Sequence, residues 1–173
     1  SLLDELDADA QQRVQSDDPE TAARAVLAIV DEFPPFSSLV RERSQWLALA
    51  RQIIVKHVDP DLRLDVPLLS AIAQTAFAAR ETTPALTASE QALAAAIDLR
   101  DLPLEASIRA RRLPHLSLLG LRDATTDMER LEQLERELGA QLSAGIRVEI
   151  GLGRVAWTAA QGDFDGQRRA LAG

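Results

Sequence analysis

The stretch HVDPDLRLD gathers His57, Asp59, Asp61 and Asp65, an imidazole with carboxylates, which is a donor set suited to a divalent metal. Its spacing matches no fixed ligand pattern. Asp59 stands directly before Pro60 and Asp65 just before Val66-Pro67, positions where a helix start needs an oxygen to accept its free N–H groups. Helix capping is therefore the reading taken for these acids. The stretch GIRVEIGLGRVAW offers Gly151-x-Gly153-x-x-Ala156 after a potential strand at 146–150, the outline of a turn that lays a helix N-terminus on a pyrophosphate. The sequence ends at Gly173, too soon after Ala156 to complete a β-α-β unit with its ribose-binding acid. The simpler account is that Gly145, Gly151 and Gly153 let neighbouring helices approach closely.

Other titratable groups read the same way. His115, beside Pro114 on an apolar run, suits a packed or edge histidine better than a general base. Glu132 and Glu135 lie near Arg130 and Arg136 and describe a solvated helix face with local charge pairing. Gly-Lys-Ser/Thr phosphate loops, Gly-x-Ser-x-Gly and His-Glu-x-x-His are missing, and with no cysteine there is no thiolate chemistry, Cys-ligated zinc or disulfide. The chain reads as a non-enzyme without cofactor or metal. A net charge of −8 argues against direct nucleic-acid contact, which needs a clustered excess of Lys and Arg. No apolar run is long enough for a membrane span and no signal peptide opens the sequence, so a cytoplasmic chain is expected.

The elements that would position these residues are helical almost throughout. In PETAARAVLAIVDEF, residues 19–33, Ala22, Val26, Ile29 and Phe33 form one stripe, with Asp18 as N-cap, Pro19 at the first position and Pro34-Pro35 as the stop. A weaker helix is expected over LLDELDADAQQRVQ. Residues 38–58 carry Trp46, Ala50, Ile53 and His57 on one face with Leu47, Ile54 and Val58 beside it, a breadth that implies contact on two sides. Helix pairs then follow at 67–81 and 84–99, 103–121 and 123–138, and 140–161 and 163 onward. Gly139 is expected as a left-handed C-cap, and Pro114 to kink or break its helix. With only six aromatics, the interior must be built from Leu, Ala, Val and Ile.

The turns repeat. Pro84, Asp123 and Asp163 are separated by steps of 39 and 40, and Leu99 and Leu138 by 39. A period of this size with two helices per unit signals an α-solenoid. The expected fold is all-α, a right-handed solenoid of antiparallel hairpins with eight to nine helices, over one repeat domain at 1–173. Its hairpins fall at about 2–33, 36–66 (irregular), 67–99, 103–138 and 140–173.

AWTAAQGDFDGQRRAL resembles the tetratricopeptide junction, with Gly162, Asp163 and Phe164 at its turn, and in DDPETAARAVLAIVDEFP the residues Ala22, Val26, Ile29 and Pro34 fall at that family's small, large, small and proline positions. Val155, Gln167 and Ile29 depart from the pattern, and the period exceeds the usual one. Such stretched repeats are similar to the solenoid arms of large ATP-dependent, maltose-regulator-like (LuxR-type) transcription factors. The resemblance implies a concave groove lined by Ser70, Phe77, Arg80, Arg109, Arg112, Glu149 and Leu152, in which the arginines of RARR would receive an acidic peptide or anion. The plainer alternative is that those arginines are solvated or neutralise acids such as Glu105.

Two functions follow as expectations. One is a protein-interaction or regulatory module excised from a longer bacterial protein, which binds a protein, a peptide or neighbouring domains and self-associates through residues 157–173. The other is a closed bundle that senses a small ligand, with the Trp46 helix and the Pro114 kink bordering its cavity.

Overall fold

Asp18 opens the first helix by the expected means. Its Oδ2 accepts the Thr21 N–H at 2.9 Å, and Pro19, which has no N–H to lose, takes the first helical position. In the computed structural model, residues 18–32, 39–60 and 63–162 are described. The α-helices are α1 (Pro19–Glu32), α2 (Val40–His57), α3 (Asp65–Ala78), α4 (Thr82–Asp98), α5 (Leu102–Leu118), α6 (Asp123–Leu138) and α7 (Ala144–Ala160), with a short 3-10 turn at Gly139–Gln141. The chain is all-α among the described residues, with seven helices where eight to nine are expected. The helices expected over 2–15 and from 163, the Pro34-Pro35 stop and Phe33, Asp163 and Phe164 lie outside those residues.

The chain, expected as one repeat domain, divides into two compact units between Ala92 and Leu93. In the first, α2 packs on both α1 and α3. Val26, Ile29 and Val30 of α1 meet Trp46, Leu47 and Ala50 of α2 and Leu68 and Ala71 of α3, so the two-sided contact expected for α2 is present. His57, placed on the same face by periodicity, is exposed at the helix end. Arg43 lies in this core with 1% of its surface exposed. Its Nε donates to Thr75 Oγ1 at 3.0 Å, and one terminal nitrogen donates to the Val30 carbonyl, one of the last-turn oxygens that α1 cannot satisfy itself.

In the second unit α5 packs on both α6 and α7. Leu113, Leu116, Leu131, Leu134 and Ile150 are buried, each worth about 2 kcal/mol of apolar transfer. Asp101 caps α5 by accepting from Leu104 N, and Ser143 caps α7 by accepting from Ile146 N. The α5 helix runs unbroken through Pro114. Proline leaves the Ala110 carbonyl without its helical N–H, and α7 lies against that carbonyl: a Cβ built on Gly153 would sit 3.1 Å from Ala110 O and 3.1 Å from Leu113 Cδ2. Of the three glycines expected to allow close approach, only Gly153 does so. Gly151 has open space and Gly145 meets only Ser143 Oγ at 3.9 Å. Because 146–150 is helical, the glycine run has no strand before it.

Successive turns share one geometry. Arg80, Arg100 and Gly120 all have positive φ (62°, 54° and 66°), and each is followed by an N–H that reaches back to the third carbonyl from the helix end: Glu81 to Ala76, Asp101 to Ala96 and Leu121 to Leu116. The N–H groups of Arg80, Arg100 and Gly120 themselves donate to the carbonyls of Phe77, Ile97 and Ser117, and this pair of bonds closes a helix with a left-handed residue. Gly139 also has positive φ, but its ψ of −116° places it outside the left-handed helical well. First helices of successive pairs start at 65, 102 and 144, steps of 37 and 42 instead of near-equal ones.

The glycines of α7 separate propensity from packing. Gly151→Ala should stabilise the chain by about 0.5–1 kcal/mol, because it removes backbone entropy from an open helical site. Gly153→Leu should cost more than about 2 kcal/mol through overpacking against α5. Urea unfolding of both variants checks the opposite signs.

Candidate functional site

The RARR run lies within α5, and the turn after Leu118 brings α6 back across it. One turn apart, Glu105 and Arg109 pair at 2.9 Å. Arg109 also reaches Asp127 Oδ1 on α6 at 2.5 Å. The Nε of Arg112 stands 2.9 Å from Asp127 Oδ2, in ion contact but off the line of a hydrogen bond. From α6, Arg130 grips Glu105 with two nitrogens, at 3.1 and 3.2 Å. Arg109 and Arg112 are therefore not open anion receptors. Neutralisation by acids, the plainer alternative, accounts for both, with Asp127 as the partner that periodicity alone did not reveal.

The two carboxyls of this cluster respond differently to burial. Desolvation raises the Asp127 pKa above its ordinary value, and Arg112 and Arg109 pull it back without cancelling the rise. Desolvation also works on Glu105, but hydrogen bonds from Arg130 and Arg109 outweigh it and leave that group below its ordinary value. On the flank of α5, Glu149 of α7 accepts from Ser107 Oγ at 2.9 Å and from Arg111 Nε at 2.8 Å. Glu135, expected to pair locally within α6, pairs with Arg154 of α7, while Arg130 keeps a local contact with Glu137 at 3.7 Å.

The remaining residues of the implied groove are scattered in character. Ser70 is buried in α3, Phe77 half-buried, Arg80 exposed at its positive-φ turn, and Leu152 exposed on α7. Ser70, Phe77 and Arg80 belong to the first unit, and Arg109, Arg112, Glu149 and Leu152 to the second. Asp65 is the first residue of α3 and not its cap, which is Leu64; its carboxylate faces Arg63 at 3.3 Å. Asp61 lies outside the described residues, among which no group of His, Asp or Glu side chains converges as metal ligands would. No helix of the described residues is long and apolar enough to cross a membrane.

A different feature stands out in the first unit. Between α2 and α3 runs an open trough of about 600 Å³. Val40, Ser44, Leu47, Ala48 and Val55 line it from α2, Ile72 and Ala76 from α3, and Ala79 from just past the end of α3. Arg51, Gln52 and Lys56 of α2 also line it, as do Glu81 and Pro84. Val55 is 75% exposed there. No protein-family model, curated protein or solved structure matches this chain.

The trough lies beside the Trp46 face of α2, the face that apolar periodicity marks. The signal of the trough is a second series, Val40, Ser44, Leu47, Ala48 and Val55, small or apolar residues at helical spacing that Arg51 interrupts. The long helix borders this trough through Leu47 and Ala48, and neither Trp46 nor Pro114 lines it.

Two measurements probe the charged elements. Asp127→Asn should cost about 3 kcal/mol, because it leaves Arg112 buried beside an uncharged partner. Asp123→Asn, at an acid 65% exposed and 4.0 Å from Arg112, should stay within about 0.5 kcal/mol, and urea unfolding separates the two. His115 is held below its ordinary pKa of 6.5 by desolvation. The unfolded chain therefore binds a proton first, and stability should fall as pH drops below 6.5 toward the lowered folded value. Replacing it in His115→Gln should remove that part of the slope in a pH series of unfolding curves.

Proposed function

We propose that this chain is a non-enzymatic protein-interaction module of helical hairpins, stacked as a right-handed α-solenoid in the manner of tetratricopeptide-like repeats. The observation that carries the reading is the recurrent turn at Arg80, Arg100 and Gly120, one bonding pattern used at three successive helix ends. Repeated units expose long helical faces on which a partner segment can lie, and their function is binding. In the parent protein such a module would serve as a regulatory or signalling arm, as in the maltose-regulator-like transcription factors its sequence resembles.

The α2–α3 trough favours a second reading, a sensor domain for a small ligand, since about 600 Å³ falls in the range of small-molecule sites. A photo-reactive residue in place of Gln52, which lines the trough, tests both in bacterial cells. A discrete protein adduct that disappears when Ala48→Arg fills the trough supports the interaction module. A small molecule co-purifying with the chain in native mass spectrometry, without any protein adduct, supports the sensor and sinks the first reading.

A further inference from the structure

We infer that the α2–α3 trough receives an acidic amphipathic helix from a partner protein, an inference that rests on the interaction-module reading above. Length is the first argument. Its α2 wall extends from Val40 to Lys56, about 24 Å at the helical rise. A helix of about four to five turns matches that wall, whereas a compact ligand would cover only part of it.

Surface shape is the second. Ala48, Ala76 and Ala79 keep the walls low, so a third helix axis can settle at a normal packing distance of about 8–10 Å. Leu47 and Ile72 offer apolar contact, and exposed Val55 extends it at one end. An incoming stripe at i, i+3 or i+4 and i+7 would complete this surface.

Charge selects the sign of the partner. Arg51, Lys56 and Glu81 give the lining a charge of +1, in a chain whose net charge is −8. Arg51 and Lys56 make no ion pair among the described residues, whereas Arg109, Arg111, Arg130 and Arg154 all do. A partner with carboxylates beside its apolar stripe would meet these two cations, and a basic one would be repelled by them.

A display library of sixteen-residue helical peptides, selected on the intact chain and counter-selected on its Ala48→Arg variant, tests this. The enriched pool should be acidic, with apolar residues at helical spacing. Arg51→Glu combined with Lys56→Glu should weaken the selected peptides about tenfold. Val55→Asp, at a site 75% exposed and so harmless to the core, should also weaken them. A neutral or basic pool, equal binding to the charge-reversed chain, or no enrichment overturns the inference. So does saturable binding of dodecanoate in the trough with no peptide selected. A protein adduct from position 52 together with a non-acidic pool would leave the interaction module standing and remove only the acidic partner.

Discussion

Asp127 is the point on which the second unit turns. Its side chain is 3% exposed and lies against two guanidinium groups carried by another helix. Burying any one of these charges alone would cost several kcal/mol of lost hydration, more than a leucine at the same site returns. The arrangement is tolerable only when α5 and α6 sit in one register, with Arg109, Arg112 and Arg130 opposite Asp127 and Glu105. The network gives a single answer to how these helices align, which a surface of leucines and alanines would leave loosely specified.

The first unit meets the same problem with one cation. Arg43 satisfies a terminal carbonyl of α1 and the Thr75 hydroxyl of α3, so a single side chain rooted on α2 fixes both neighbours. Aromatic scarcity gives this significance. With six aromatics in the chain, large rigid side chains are few, and long arginines take over the task of spanning from helix to helix. Their aliphatic stems pack while their heads bond, which combines volume with direction.

Helices were legible because their signals are local: a cap such as Asp18, a proline at the first helical position such as Pro19, and a stripe such as Ala22, Val26 and Ile29. What escaped was pairing across helices. Arg109 and Glu105 are four apart and visible together in the sequence, but Arg112 and Asp127 meet only after a turn has reversed the chain. Turns were expected near Arg80 and Arg100, but not their left-handed geometry, because an arginine with positive φ leaves none of the signature that a glycine leaves. Pro114 was expected to disturb its helix more than it does. The effect depends on what packs over the freed carbonyl, and Gly153, distant in sequence, decides that.

The α2 helix shows why a face can carry information that a core does not. Its buried side, Arg43, Trp46, Leu47 and Ala50, is accounted for by α1 and α3. On its other side Ala48 and Val55 remain uncovered among the described residues, between Ser44, Arg51 and Gln52. An exposed valine alone requires no explanation, since much of any protein surface is apolar. Here, however, small and apolar residues recur at helical spacing beside a second helix that offers Ile72 and Ala76, with Ala79 just past its end. Two aligned rows are half of a helix-packing interface, and their spacing fixes the geometry of the missing half: a helix lying along α2, with its apolar stripe inward and its flank toward Arg51 and Lys56.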